Sequence, residues 1–579
     1  MAKTLDEVDV VIVGTGWAGA IPAAELAKKG YKVVGLERGK DRETKDFIGA
    51  KDELRYENRN EMLQDLTKET LTLRNELDET AQPIRNGGPL GQDTGGTGVH
   101  WNGWSYRWKP YDFEIYSKTV EKYGKDRIPK DMTIQDWGIT YDEMEPYYDR
   151  FEKTAGISGE DNPLGPWRSD DLPNPPLKRT PMHHLFRKAT KELGYHPYPR
   201  PSANMSQKYE NPDGETLNAC VYCAFCEHYG CDFGAKAEPL TTVIPTALKT
   251  GNYEIRNHSY ATRVLYENEK ATGILYIDTE TGKEYEQPAK LVVLAGFVFT
   301  NTRLLLLSEI GEPYNPNSGK GIIGKNYTGH FSNLQFSPSV IGFFKDKKFN
   351  LFAGAGALSE TMDDFAGGNI DNTDLDFLHG FEIRIDQLGL RPINNNHVPK
   401  GTPSWGKEFK EKSLFYTNRY LYLTQQGGSL PWKHNYMDLD PHYEDAFGDP
   451  LLRLTCKYTD QDRNLYKYAR EKSKEIMEEM DADIIDVNEV TDETEFTEPT
   501  SHSGGGVIMG ANPEESAVNN YSQMWEMDNL FVVGGSAYPH FSNYNPTETI
   551  GALAYRAAEG MIKYLENDGG LLIEPKKGK

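Results

Sequence analysis

Long apolar runs are missing from this sequence. The best candidate, Leu291 to Phe299, falls far short of the roughly 18 residues that a membrane-crossing helix needs. The opening residues, Met1-Ala-Lys-Thr-Leu-Asp-Glu-Val-Asp9, carry no apolar core ahead of the first strand, so no signal peptide is expected. Positive charge is in the minority: 64 Lys and Arg face 88 Asp and Glu, for a formal net charge of -24. Such a surface repels phosphate, which argues against nucleic-acid partners and against direct membrane insertion. Cysteine is scarce, with five in the chain, and a disulfide scaffold would scatter them. Instead Cys220, Cys223, Cys226 and Cys231 crowd into twelve residues, while Cys456 stands alone and reads as a small buried hydrophobe. No internal repeat or low-complexity segment is present.

At 579 residues the chain exceeds one small core, so two or more structural domains are expected. Asp9 to Gly14 is an apolar run ending in glycine, the pattern of a buried parallel strand. Helix-forming sequence follows from Ala18 to Lys29, Gly30 stops it, and Tyr31 to Glu37 reads as the next strand. Asp52 to Thr80 reads as a polar surface helix, and Thr154 to Thr180, rich in Pro, Gly and Asp, as an irregular linker. A helix is expected from His184 to Leu193. Strand–turn–strand pattern runs from Tyr253 to Ala295, with a hairpin turn at Thr281-Gly282. Alternation from Phe331 to Thr424 suggests an antiparallel sheet, and Asp460 to Met480 a strong helix. After His502 comes a glycine stretch that reads as mobile, then a strand (Leu530 to Val533) and a final helix (Thr549 to Glu566). βα sequence at both ends thus encloses a β-rich middle. The expected fold is α/β: a discontinuous Rossmann-like dinucleotide domain with an inserted β-rich α+β substrate domain. The expected divisions are 1–110 for its first part, 111–235 for an irregular excursion with the cysteine loop, and 236–330 for its second part. Residues 331–500 form the substrate domain, and 501–579 the C-terminal part with the catalytic loops.

Gly14, Gly16 and Gly19 form Gly-x-Gly-x-x-Gly directly between strand and helix, where glycine permits a tight turn and close approach to a pyrophosphate. Glu37, ending the second strand, is placed to accept hydrogen bonds from a ribose diol. Arg38-Gly39 is a sequel commoner in FAD proteins than in NAD enzymes. A second glycine-rich segment runs Gly95-Gly-Thr-Gly-Val-His-Trp-Asn-Gly103. Here the chain resembles the glucose–methanol–choline (GMC) oxidoreductase family, whose flavin-contacting loop reads Gly-Gly-x-Ser-x-x-Asn-Gly. The likeness resumes at Leu291 to Gly296, with Leu304 to Leu307 behind it, and again from His502 to the C-terminal helix. It implies FAD contacts at Gly96, Thr97 and Asn102, and further ones at Val264, Ala295, Gly535, Pro546 and Thr547. Gly98 departs from it by replacing the usual Ser. Val99-His100-Trp101 is similar to the His-Trp of relatives whose imidazole bonds covalently to the flavin; a covalent link at His100 and a noncovalently stacked ring both stay open.

Ser501-His-Ser-Gly-Gly-Gly-Val-Ile-Met509 and Ser542-Asn-Tyr-Asn-Pro-Thr547 resemble the two catalytic segments of that family. The resemblance makes His502 the proton acceptor and Asn545 its hydroxyl-orienting partner. An imidazole of pKa about 6.5 suits the removal of a hydroxyl proton as hydride leaves for the flavin. His540 reads as a loop residue.

Cys220-x-x-Cys223-x-x-Cys226-x4-Cys231 has ferredoxin-like spacing, with zinc as the competing metal. The motif resembles that of FAD/iron–sulfur sugar and sugar-acid dehydrogenases of gluconate type, and both [3Fe–4S] and [4Fe–4S] stay open. The resemblance implies an FAD-dependent dehydrogenase that oxidises a secondary or hemiacetal alcohol of a sugar, polyol or sugar acid by hydride transfer to flavin N5. Electrons would leave through the cluster to a quinone, cytochrome or dye. A glycoside 3-dehydrogenase, and an O2-using sugar oxidase with structural zinc, are the alternatives. A small companion subunit is expected near Cys220 to Lys236, with Tyr222, Phe225 and Tyr229 as anchors. With no address of its own, the chain is expected in the cytoplasm, or in the periplasm or at the cell surface if co-exported with that companion.

Overall fold

A computed structural model of the chain describes residues 2–49, 51–85, 90–331, 334, 339–389, 391, 393 and 395–576. Its centre is a parallel sheet in the order 530–532, 291–294, 8–13, 33–36, 253–256. Val10, Val11 and Ile12 are fully buried, as expected of a strand covered on both faces. Helix Trp17–Lys28 follows the first strand and packs on the C-terminal helix Thr547–Glu566, which in turn packs on Tyr141–Ala155. The long strand Glu284–Leu294 serves two neighbours: its first half pairs antiparallel with Lys270–Asp278, its second half parallel with Val8–Val13.

The second layer is a six-stranded antiparallel sheet in the order 484–487, 340–343, 420–427, 381–386, 359–362, 198–199. Helix Asp460–Glu479 packs on its Tyr420–Gly427 strand. That helix begins where expected because Thr459 and Asp462 form a reciprocal N-terminal cap, Thr459 donating through both N and Oγ1 to Oδ2 at 2.8 Å. The α/β layout with a β-rich second layer is the expected fold.

Local expectations fail in instructive places. Residues 52–80 are not one helix. They hold a short π turn, Leu54–Asn58, and a strand, Leu71–Arg74, paired in parallel with Leu452–Thr455. The scattered leucines there alternate to meet a partner about 380 residues away, so tertiary pairing overrides local propensity. The hairpin at Thr281-Gly282 is present, Gly282 at φ +68°, and a second lies at Asn268-Glu269, φ +50° and +61°, where no glycine signalled it. The glycine stretch after His502 is buried and fixed: a Cβ on Gly505 would lie 2.0 Å from Asn326 O.

Candidate active site

A cleft of about 510 Å³ runs from the ends of the parallel strands to the face of the antiparallel sheet. At its first end the three glycines have separate steric duties. Gly14 turns at φ +96°, where a Cβ would meet Ala295 O at 2.6 Å, and a Cβ on Gly19 would strike Gly14 O at 2.0 Å, so helix and strand pack only without it. A Cβ on Gly16 meets no neighbour closer than 3.7 Å; it would fill the cleft itself, the space a pyrophosphate takes at the helix N-terminus. Glu37 is buried at the next strand end, accepting from Thr15 Oγ1 (2.7 Å), Thr15 N (3.3 Å) and Gly39 N (3.1 Å). Burial raises its pKa against those bonds. Arg38 lines the cleft and donates to Glu69 at 3.0 Å. These features fit a dinucleotide.

The loop Gly95 to Gly103 forms one cleft wall with Gly96, Thr97, His100 and Asn102. Asn102 Oδ1, His100 Nε2 and Trp17 Nε1 are buried there without hydrogen-bond partners, acceptors and donors left for a polar ring system. The departure at Gly98 has a cause: a Cβ would press on Pro239 Cδ and Trp17 Cδ1, both at 2.8 Å. Ala295, Gly535, Pro546 and Thr547 also line the cleft. Val264 does not; it is buried in the core, its N–H donated to Ser308 Oγ at 2.9 Å, and Ser259 to Thr262 line the cleft from that strand instead. The strand meets the cleft through 259–262, and Val264 lies past the register irregularity between Ala261 and Arg263.

At the second end His502 and Asn545 meet. Asn545 Nδ2 donates to His502 Nε2 at 3.2 Å, Gln426 Nε2 donates to Asn545 Oδ1 at 3.0 Å, and Trp108 Nε1 to Asn545 O at 3.2 Å. Gln426 and Trp108 escaped the sequence reading, and so did two further residues of this group. His330, fully enclosed, lies 2.9 Å from His502 between their Nδ1 atoms. Arg384, on the antiparallel sheet, bonds Glu382 Oε1 (2.6 Å) and Asp386 Oδ2 (3.0 Å), stacks 4.4 Å over Trp104 and lines the cleft with Asp386, Tyr422 and Thr424. Neither carries a local motif; only the sheet register brings them here. Burial and then Arg384 push the His502 imidazole down to about 3, below the value expected from the sequence, so it is neutral throughout the physiological range.

His540 stands outside the cleft. Trp137 Nε1 donates to its Nδ1 at 3.1 Å, and its Nε2 faces Asp112 Oδ1 at 3.6 Å; His379 Nε2 meets the same oxygen at 2.9 Å. The three groups converge as metal ligands would. Yet the Trp137 bond takes the Nδ1 lone pair, which leaves the neutral ring's hydrogen on Nε2, where a ligand would need a lone pair. Burial opposes ionisation of Asp112, but the hydrogen bond from His379 and the nearby His540 ring hold it well below the usual carboxylate range. The cluster is a buried ion-dipole brace.

The four clustered cysteines are free thiols on a loop that contains three non-glycine residues at positive φ, Tyr222, Ala224 and His228. Three sulfurs receive N–H groups: Cys220 from Tyr222 N (3.4 Å), Cys231 from Ala235 N (3.3 Å), Cys226 from Asn204 Nδ2 (3.7 Å). Burial, then the proximity of Cys226, Cys231 and Cys223, pushes Cys220 up to about 12. His228 of this loop lines the cleft, its ring 6.3 Å from His100. The aromatics expected as docking anchors turn inward: Tyr229 is fully buried and donates to Glu57, Phe225 packs on Tyr229, and the Tyr222 hydroxyl accepts from Lys178 N. Val221, Phe233 and Phe352 are the exposed apolar side chains nearby.

A dinucleotide cradle continuous with a histidine–asparagine pair under a polar sheet defines an FAD-dependent oxidoreductase acting on CH–OH donors. Family models described as GMC oxidoreductase match residues 130–332 and 431–554. The chain is 38% identical to the gluconate 2-dehydrogenase flavoprotein of Pantoea cypripedii over 99% of this chain and 96% of that one. It is 29% identical to 2-methyl-1,2-propanediol dehydrogenase of Mycolicibacterium austroafricanum (96% of each), and 24% to the fructose dehydrogenase large subunit of Gluconobacter japonicus (96% and 98%). In fold it is similar to pyridoxine 4-oxidase of Mesorbium loti, with a TM-score of 0.61 at 16% identity, covering 97% and 99% of the two chains. The chain belongs to the GMC oxidoreductase family.

Proposed function

We propose that this protein is the flavoprotein of a dehydrogenase for a secondary or hemiacetal alcohol of a sugar, polyol or sugar acid of gluconate type. The observation that carries the reading is the 3.2 Å contact of Asn545 Nδ2 with His502 Nε2, opening onto the cleft beside Arg384 and Thr424. His502 takes the hydroxyl proton, Asn545 orients the hydroxyl, and the polar sheet receives the remaining hydroxyls. FAD, when bound, supplies the acceptor for the substrate's hydride. The name of the Pantoea relative supports the sugar-acid class.

In the same reading Cys220, Cys223, Cys226 and Cys231 hold an iron–sulfur cluster, [3Fe–4S] or [4Fe–4S], which supplies one-electron transfer to a quinone, cytochrome or dye. N–H···S bonds to three sulfurs support it, being the usual environment of cluster ligands. Tetrahedral zinc with Zn–S of ~2.3 Å needs sulfurs about 3.8 Å apart. Among the described residues no three of these sulfurs lie within 4.8 Å of one another. His100, neutral and unpartnered at Nε2, is the residue for a covalent flavin link. The exposed Val221, Phe233 and Phe352 beside the loop form the docking face for a companion subunit, in keeping with the name of the Gluconobacter relative, a large subunit. No helix among the described residues is long and apolar enough to cross a membrane, and the compartment follows that of the companion. The chain divides at 110, 235, 330 and 500, a division supported by parallel strands drawn from 8–36, 253–256, 291–294 and 530–532.

Anaerobic flavin bleaching across a panel of sugars, polyols, sugar acids and glycosides tests the substrate class. Bleaching by glycosides alone transfers the reading to a glycoside 3-dehydrogenase. Rapid reoxidation by O2 in a zinc-containing, iron-free preparation transfers it to an oxidase.

A further inference from the structure

His330 is tied to both catalytic segments. Its backbone N–H donates to His502 O at 2.9 Å, one residue beyond the antiparallel pair Gly329–Ser503. Its carbonyl accepts from Thr500 Oγ1 at 2.7 Å, and the same hydroxyl oxygen accepts from His502 N at 3.1 Å. Its Nε2 reaches Ser542 O at 2.8 Å, on the segment that carries Asn545, and the Phe541 ring closes edge-on at 4.7 Å.

These contacts have only one consistent proton arrangement. Ser542 O is a carbonyl and can only accept, so His330 carries its hydrogen on Nε2. Burial and then the neighbouring His502 hold the His330 pKa well below the ordinary value, so the ring is neutral and Nδ1 is bare. In the 2.9 Å contact between the two Nδ1 atoms, His502 must therefore be the donor. With its hydrogen on Nδ1, His502 has its lone pair at Nε2, the atom that Asn545 Nδ2 approaches. Gln426 Nε2 on Asn545 Oδ1 fixes the amide in the matching orientation.

We propose that His330 is a positioning residue that sets the tautomer of His502, keeping the proton-accepting lone pair on Nε2. This rests on the reading of His502 as the proton acceptor. Without the Nδ1 acceptor, the His502 hydrogen can shift to Nε2, where the ring can no longer take a proton from the substrate. The bond also strengthens during reaction: proton transfer makes His502 an imidazolium whose Nδ1–H still points at His330 Nδ1, a charge-assisted donor to a neutral acceptor.

The test compares His330→Leu with His330→Asn in the holoenzyme, since Asn Oδ1 can stand where Nδ1 stood and accept from His502. The expected loss in single-turnover flavin reduction for His330→Leu lies between ~10²-fold, as for lost general-base assistance, and ~10⁴-fold, as for a wrong catalytic tautomer. Substrate Kd should change less than ~3-fold while FAD content stays intact, because the change removes an interaction that matters to kcat and not to uniform binding. His330→Asn should recover at least ~10-fold of the lost rate, following the same logic. Nitrogen-15 shifts of labelled histidine should show a protonated Nδ1 on His502 in the parent and a mixed tautomer in His330→Leu. Equal damage in both variants with an unaltered tautomer would make His330 merely structural and overturn the proposal. Full-rate His330→Leu beside a slow His502→Ala would overturn it while leaving the base assignment intact; full rate in both would remove the base assignment itself.

Discussion

Trp137 donates its indole N–H to Nδ1 of His540 at 3.1 Å, and this bond separates the two histidines that flank the catalytic segments. It commits the His540 hydrogen to Nε2, facing Asp112 and outside the cleft, whereas His502 lines the cleft with its Nε2 beside Asn545. His502→Ala should therefore slow anaerobic flavin reduction by about 10²–10⁴-fold, the range for a lost general base. His540→Gln should instead lower Tm and leave the reduction rate of the remaining folded enzyme near that of the parent. A slow, stable His540→Gln would move the base.

The low pKa of His502 gives a pH profile. Burial and Arg384 hold it at about 3, so the base form is present above that value and disappears only as pH falls through it. Flavin reduction should show no His502-dependent acid limb between pH 5 and 8; a half-loss near 6.5 would mean that the imidazole titrates at its ordinary value. Stability follows a different course. His100, down to about 3, and His183, down to about 4, both chiefly by burial, stay neutral in the fold but take a proton on unfolding once pH drops below about 6.5. Each removes on the order of 1.4 kcal/mol per pH unit from there down to its folded pKa. Tm should fall on acidification from pH 7 to 5, and less steeply in His183→Gln.

What could be read from the sequence was whatever has a local cause. The first three glycines sit in one strand–turn–helix unit whose spacing is legible by itself, Gly19 packing on Gly14 five residues back, and the Thr459–Asp462 cap marks its helix from inside the same turn. His502 stood out through its glycine setting. His330 and Arg384 did not, because their roles depend on pairings at long range, His330 with 502 and 542, Arg384 with a neighbouring strand and Trp104. Leu71–Arg74 was misread as helix for the same reason. Tyr229 looked like an exposed anchor until Glu57, far away in sequence, took its hydroxyl.

Gly98→Ser, which restores the residue usual in the family loop, should destabilise this protein. The new Cβ meets Pro239 and Trp17 at 2.8 Å, so the wall must shift. Overpacking of this kind costs about 1–3 kcal/mol. Denaturant unfolding should show a lower midpoint, and FAD should dissociate more readily. Unchanged stability and FAD retention would show that the wall yields freely.

Cys220→Ser, Cys223→Ser and Cys226→Ser separate the two halves of the electron path. Each should lower iron content and abolish turnover with quinone or dye acceptors. Substrate-driven reduction of FAD should persist, since the cysteines lie outside the His502–Asn545 end of the cleft. Zinc with negligible iron in an anaerobic preparation would sink the cluster assignment. Loss of flavin reduction itself would show that the loop is needed to build the cleft, a real alternative given that His228 lines it.

The state of His100 decides how the flavin is held. Its ring is buried with Nε2 unpartnered, a backbone glycine at Gly91 leaves it space on one side, and burial, His228 and Lys236 drive its pKa to about 3. A neutral imidazole with an unused ring nitrogen on the cleft wall is the form required to bond carbon. The bond would also meet the cost of an otherwise unsatisfied buried polar atom, about 1–3 kcal/mol. Acid precipitation of the holoenzyme should therefore leave the yellow colour in the pellet, and His100→Ala should release it to the supernatant. A colourless pellet from the parent protein means a dissociable FAD, with His100 serving as a packed wall residue. In that case His100→Ala should weaken FAD affinity by opening the wall and change nothing about how the colour partitions.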